Sequence, residues 1–210
     1  MVAMEPSIPP AWSTGQPPNR IAACPQGRLG TLVGRLMGAL NRGQQTEVLS
    51  LLGPLDDARV LEIGPGPGVL LGLLAARPDV DHVVGIEPME AMRRLAIRRQ
   101  AAALASGRAE VRPGTADATG LPDGAVDLVV TINTVAIWPD LDAGAAEIAR
   151  VLRPGGRAVV SWHGGERGAR GGLGLSAAQL DRVEAALARH VGTVTRRLTP
   201  RCTVLVADRP

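Results

Sequence analysis

The 210-residue chain has no phenylalanine, no tyrosine and no lysine, and only three tryptophans and two cysteines. Each scarcity excludes something. Without lysine all 23 basic residues are arginine, which a GC-rich coding bias explains more simply than function does. Nucleic-acid binders usually concentrate basic charge and offer aromatic platforms for base stacking. Here the arginines are scattered, and the formal net charge is only +3 although the pI is about 10.0, so a nucleic-acid partner is disfavoured. Cys24 and Cys202 lie far apart and suggest no disulfide framework, which makes a reducing, cytoplasmic setting the expectation. No apolar run approaches the length of a membrane span, and no basic segment followed by an apolar one opens the chain. Neither a membrane nor a secretory signal is expected.

What is present reads as a single domain with a 45% hydrophobic composition, long enough to bury a core. Residues 1–27 are rich in proline (Pro6, Pro9, Pro10, Pro17, Pro18, Pro25) and lack periodicity, the pattern of an extended arm or tail. Trp12 is read there as a solvated tail residue, with a plug for a neighbouring cleft as the competing reading. Residues 28–54 form a helical cap. Leu29, Leu32, Val33, Leu36, Met37 and Leu40 share one helical face over Arg28 to Leu40, flanked by Arg28, Arg35 and Arg42 as a solvated edge. A second short helix, about 44–52, closes at Gly53-Pro54.

Residues 55–210 alternate strand and helix patterns. Strands are expected near 59–63, 82–86, 108–112, 126–132, 158–162, 192–198 and 202–207. Helices are expected near 67–76, 89–105, 139–152 and 176–190, the last opened by a Ser176/Gln179 capping box. Arg153-Pro154-Gly155-Gly156 reads as a helix stop and tight turn. Alternation of this kind implies an open parallel sheet covered on both faces. Thr199-Pro200-Arg201 is too short to cross over, so the last two strands form a hairpin and one strand runs antiparallel. The fold class is therefore α/β: a three-layer, Rossmann-like, seven-stranded and mostly parallel sheet with one antiparallel strand, plus a small N-terminal helical cap.

The chemistry concentrates at Val60-Leu61-Glu62-Ile63-Gly64-Pro65-Gly66-Pro67-Gly68. A buried strand ends on an acid, three alternate glycines follow, and a helix opens at once. Such a turn gathers backbone N–H groups and lets a ligand approach the main chain closely. The dinucleotide fingerprint G-x-G-x-x-G would need glycine at Val69, which speaks against a nicotinamide-dependent reductase. Glu87 ends the second strand about twenty residues on, where a carboxylate can accept two hydrogen bonds from ribose hydroxyls.

The acid-x-G-x-G-x-G pattern resembles the first motif of the class I S-adenosylmethionine (SAM)-dependent methyltransferases. The resemblance continues through Asp117-Ala118-Thr119-Gly120-Leu121-Pro122, Asp127-Leu128-Val129-Val130 and Leu152-Arg153-Pro154-Gly155-Gly156-Arg157, over roughly residues 58–162. It implies that SAM is bound and S-adenosylhomocysteine released. Glu62 would face the methionine ammonium, and Gly64, Pro65, Gly66 and Gly68 would pass under the cofactor. Glu87 would hold the ribose, with Pro88 and Met89 against the adenine. Asp117 would accept from the adenine amine and the Ala118 N–H would meet a ring nitrogen. Asn133…Trp138-Pro139-Asp140-Leu141 is similar to the fourth motif of the small-molecule branch.

Methyl transfer needs a base only when the nucleophile loses a proton as it attacks. His163 is the candidate base on its ordinary pKa, against a structural or solvent-exposed histidine in a Gly-rich loop. Asn133, Trp138 and His163 are the substrate-lining candidates, Asn133 also as a cofactor or loop-fixing residue and Trp138 more as packing. Ile132-Asn133-Thr134-Val135 lacks the Asn/Asp-Pro-Pro-Tyr pattern that in this family marks methylation of adenine or amide nitrogen. A small acceptor is expected, with O-methylation favoured and N- or C-methylation open. The competing readings are a SAM-binding protein without methyl transfer and an RNA methyltransferase. No metal is expected.

Overall fold

The computed structural model describes residues 9–17, 41–166, 168 and 174–210. The expected helix over Arg28 to Leu40, Cys24 and most of the Pro-rich arm lie outside the described residues. Within them a helix covers 41–51 (α1), followed by β1 (Ala58–Ile63), α2 (Val69–Ala75), β2 (Val80–Ile86), α3 (Glu90–Arg99), α4 (Ala101–Ala105) and β3 (Ala109–Arg112). Then come β4 (Val126–Ile132), a 3-10 turn (Val135–Ile137), α5 (Leu141–Val151), β5 (Leu152–His163), α6 (Ala177–His190), β6 (Thr193–Leu198) and β7 (Cys202–Asp208).

The seven strands make one sheet in the order β3-β2-β1-β4-β5-β7-β6. β1 pairs in parallel with both β2 and β4, and β4 with β5; β7 runs antiparallel to both β5 and β6. Strands 1 and 4, adjacent in space but far apart in sequence, form the switch point where open α/β sheets bind ligands beyond their carboxyl ends. Because strand side chains alternate, each face of the sheet carries its own apolar core. On one face Leu61, Ile63, Val84, Val129 and Val160 pack with Ile148 and Val151 of α5 and Val183 and Leu187 of α6. On the other, Val60, Val83, Leu128, Val130 and Val159 pack with Leu70, Leu71 and Leu74 of α2 and Val48 of α1. Helices thus cover both faces.

Two boundaries differ from the sequence expectation, each for a readable reason. The helix expected over 89–105 breaks at Gln100, whose side chain turns inward and donates from Nε2 to the Gly68 carbonyl at 2.6 Å. Gln100 thereby trades helix continuity for a hold on the Gly-rich turn. Arg153-Pro154-Gly155-Gly156 is not a turn before a strand but a bulge inside β5, between the pairs Val126↔Leu152 and Leu128↔Arg157. Arg209 supports the bulge: its carbonyl accepts from the Gly155 N–H at 3.1 Å and its own N–H donates to Gly156 at 2.9 Å. The Ser176/Gln179 capping box forms as expected.

Trp12 is not a solvated tail residue. Its backbone N–H donates to the Trp138 carbonyl at 3.0 Å, and its indole Nε1 to the Val135 carbonyl at 2.6 Å. The Ser13 hydroxyl donates to the Ala136 carbonyl at 2.6 Å, and the Arg182 guanidinium stacks 4.8 Å from the Trp12 ring centroid. The 3-10 turn gives the Val135 carbonyl only a long bond from the Trp138 N–H at 3.5 Å, and residues 12 and 13 supply closer donors to the carbonyls of Val135, Ala136 and Trp138.

Candidate functional site

The Gly-rich turn opens where β1 ends. Gly64, Gly66 and Gly68 all adopt left-handed backbone, with φ of 71°, 52° and 76°. Gly64 is constrained twice, since a Cβ there would also meet Thr134 Cγ2 at 2.5 Å, whereas one on Gly66 would meet nothing within 4 Å. That opening beside Gly66 is space a ligand can use. The turn is held from below by Gly68 N–H on Pro65 at 2.9 Å and by Gln100. Pro65 is buried and caps the sheet at Gly85, where a Cβ would lie 3.0 Å from Pro65 Cγ.

Two carboxyl groups face this turn. Glu87, 6% exposed, accepts from the Gly66 N–H at 3.0 Å through one oxygen and from the Met89 N–H at 2.9 Å through the other. Burial pushes its pKa up, while those two N–H groups and the charge of Arg93 pull it back. Glu62, 4% exposed, is different: its Oε2 is buried with no hydrogen-bond partner. Burial first, and then the negative charge of Glu87, push its pKa up to about 8. An unpaired buried carboxyl oxygen is costly in the protein alone and fits a cation brought by a ligand. SAM carries two such charges, an ammonium and a sulfonium, so the residues present fit this cofactor.

The remaining cofactor candidates are placed less uniformly. Pro88 is exposed and Met89 half-buried, both just beyond β2. Asp117 is exposed at the tip of a two-residue turn. The Ala118 N–H, expected to be free for an adenine nitrogen, instead donates to the Thr115 carbonyl at 3.2 Å, because Thr115 and Ala118 pair across that turn. The loop is anchored by a residue that sequence reasoning missed, Glu147 of α5. It accepts from the Thr119 N–H at 2.8 Å and the Thr119 hydroxyl at 2.6 Å, and Arg150 holds its pKa down at about 2.

Beyond the ends of β4 and β5, Asn133 follows β4 with a left-handed φ of 60° and donates its backbone N–H to the Ser161 carbonyl at 2.9 Å. Its side-chain Nδ2 donates to Gln44 Oε1 at 2.7 Å, while its Oδ1 is buried without a partner. His163 ends β5; its Nδ1 lies 3.0 Å from Gln44 Nε2, and burial pushes its pKa down. Trp138 is buried in the core below the turn, with Nε1 on the Thr134 hydroxyl at 3.1 Å, and acts as packing rather than a substrate wall. Gln44 was not foreseen. It reaches the site because Glu47, one turn later on α1, accepts from the Thr199 hydroxyl at 2.6 Å and the Arg201 N–H at 3.1 Å, and also pairs with the Arg201 guanidinium. These contacts hold Glu47, against its partial burial, below the usual carboxylate range.

Known proteins share both the sequence pattern and the sheet. The family model described as "Methyltransferase domain" matches residues 61–160. The uncharacterized methyltransferase YdaC of Bacillus subtilis is 32% identical over 133 residues, which are 62% of this chain and 70% of that protein. Nocamycin O-methyltransferase of Saccharothrix syringae is 38% identical over 111 residues, 52% of this chain but only 39% of the relative. Among solved structures, a SAM-dependent methyltransferase from Aquifex aeolicus superposes with a TM-score of 0.71 at 19% identity, covering 86% of this chain and 98% of that one.

Proposed function

The chain belongs to the SAM-dependent methyltransferases, and from that premise we propose that it transfers the methyl group to a small-molecule acceptor, at oxygen in preference to nitrogen or carbon. The observation that carries the site assignment is Glu62, buried beside the Gly-rich turn with an oxygen that nothing in the protein satisfies. In this reading Glu62 faces the cationic methionine end of SAM, and Gly64, Pro65, Gly66 and Gly68 run beneath it. Glu87, already poised on two backbone N–H groups, has further lone pairs for the ribose hydroxyls. Pro88 and Met89 border the adenine. Asp117 remains the residue assigned to the adenine amine, on a loop that Glu147 positions.

SAM supplies an activated methyl group on a sulfonium. The protein's share is alignment and exclusion of water. The acceptor would lie beyond the ends of β4 and β5, against the hydrogen-bonded set of Asn133, Gln44 and His163. The absence of a Pro-Pro-aromatic sequence after Asn133 argues against grip on a planar amino group. The named O-methyltransferase relative supports oxygen as the attacking atom. Residues 28–54 as a cap and 55–210 as the catalytic core form the matching division of the chain.

Calorimetric titration of SAM and S-adenosylhomocysteine into the wild type and Glu87→Ala tests this reading. Loss of charge-assisted ribose contacts weakens binding by about 1.5–3 kcal/mol. No binding by the wild type would overturn the cofactor assignment.

A further inference from the structure

Gln44 bridges the two acceptor-side candidates, and its partners fix the polarity of that bridge. Its amide Nε2 lies 3.2 Å from the Arg201 carbonyl oxygen, a group that can only accept. The nitrogen must therefore face Arg201, which fixes the oxygen on the other side, against Asn133 Nδ2 at 2.7 Å. The same amide nitrogen is 3.0 Å from His163 Nδ1. An amide N–H can only donate, so Nδ1 must be the unprotonated, accepting nitrogen, and the neutral ring carries its proton on Nε2. Among the described residues, none accepts a hydrogen bond from that Nε2.

We propose that Gln44 is a positioning residue: anchored by the Arg201 carbonyl, it holds His163 in the Nε2–H tautomer, so that the ring offers the methyl acceptor a hydrogen-bond donor rather than a base. The proposal rests on the acceptor lying at the ends of β4 and β5, as argued above. The only basic nitrogen of His163 is covered by Gln44, so a proton on the attacking atom has no path to this ring. The acceptor chemistry that follows is an oxygen already anionic at neutral pH, of which a carboxylate is the simplest. The oxygen's lone pair forms the new C–O bond, the C–S bond breaks, and its electron pair returns to sulfur, leaving a neutral thioether and no proton to be removed. His163 Nε2–H and Asn133 would orient such an oxygen. The charged groups around Gln44 are Glu47 on α1 and Arg201 on the hairpin turn, which pair with each other.

The tautomer can be read directly by nitrogen-15 NMR of the imidazoles in the protein without cofactor. Only three histidines occur, and His163→Asn assigns the signals. His82 is an internal contrast, because its Nδ1 lies 2.8 Å from the Gly107 carbonyl and must carry the proton. His163 is expected to show an unprotonated Nδ1 and a protonated Nε2, the reverse of His82. Gln44→Glu, which replaces the donor by an acceptor, is expected to move the His163 proton to Nδ1. Gln44→Met, which removes both functions at similar volume, is expected to lower the Nε2–H to Nδ1–H ratio by about fivefold to tenfold. A protonated Nδ1 in the wild type would overturn the proposal. So would a ratio unchanged in the folded variants, since a Gln44 that merely packs would leave it unmoved. Failure of SAM binding would instead strike at the cofactor assignment, and leaves this readout intact.

Discussion

Replacing Glu62 by glutamine should stabilise the protein in alkaline solution while weakening its cofactor binding. The carboxyl is buried, one oxygen is unpaired, and Glu87 adds a negative charge nearby, which together carry the pKa from the ordinary 4.5 to about 8. Burial raises Glu87 as well, but two N–H groups and Arg93 support its charge, and that charge acts on Glu62. Below pH 4.5 Glu62 is protonated in both folded and unfolded chains and costs nothing. Between 4.5 and about 8 the unfolded chain releases the proton while the fold retains it, so stability falls as pH rises. Above about 8 the whole penalty is present, about 5 kcal/mol by linkage, which is on the order of half the stability of an ordinary domain. Glutamine keeps the shape of the protonated acid and does not titrate. Urea unfolding of wild type and Glu62→Gln without cofactor should therefore agree near pH 4.5, then diverge until the variant is ahead by several kcal/mol at about pH 8.5, about 10 °C or more in Tm. In the same variant SAM affinity should drop by about 1.5–3 kcal/mol. Binding to the wild type at about pH 7 should release a proton, making the measured heat depend on the buffer's ionisation enthalpy. Stability curves that stay parallel from about pH 5 to 8.5 would refute the buried, cation-seeking carboxyl.

Gly64→Ala should cost more than Gly66→Ala. Both place a side chain on left-handed backbone, about 1–2 kcal/mol, but only the methyl group added at position 64 also strikes Thr134, which Thr131 and Trp138 hold in place. About 2–4 kcal/mol is expected for the first, and the reverse order in denaturant unfolding would contradict the described turn. Trp12→Phe keeps an aromatic ring but leaves the Val135 carbonyl with only the long bond from the Trp138 N–H, an expected loss of about 0.5–1.5 kcal/mol; Trp12→Ala removes the packing as well and should lose more. Equal thermal stability of wild type and both variants would show that residues 12 and 13 do not dock in solution.

What could be read in the sequence and what could not divides along a physical line. The strand ends were legible. Glu62, Gly64, Gly66, Gly68 and Glu87 owe their placement to a short apolar run and the turn that follows it, and both signals are local. The closing hairpin was legible because three residues cannot make a crossover. The residues that went unnoticed are long polar side chains: Gln44 and Glu147 on helices, and Gln100 at the junction of α3 and α4. Each has an ordinary helical neighbourhood, and its role is set by a partner 28 to 119 positions away: Gly68 for Gln100, Thr119 for Glu147, His163 and Asn133 for Gln44. The β5 bulge failed for the same reason. Arg153-Pro154-Gly155-Gly156 has the composition of a turn, and only the distant Arg209 backbone makes it part of a strand. Trp12 was misplaced because the carbonyls it satisfies belong to a turn 123 residues later.

The same division describes how the site is built. The sheet sets the strand ends to within the tolerance of its register, but a loop leaving a strand end has no ladder to hold it. Here each such loop is tied by one side chain on or at the end of a packed helix: Gln100, at the end of α3, to the Gly-rich turn, Glu147 to the Asp117 loop, Gln44 to the ends of β4 and β5. α1 and α5 bury apolar faces in the cores against the sheet and α3 buries Met92, Leu95 and Ala96, so their positions are fixed by packing, and the amide or carboxylate transmits that rigidity to backbone that would otherwise be free. Substrate differences between proteins sharing this sheet are then expected to arise less at the strand ends than at the helix positions that aim the loops. In this chain Gln44 is the position of that kind nearest the proposed acceptor site.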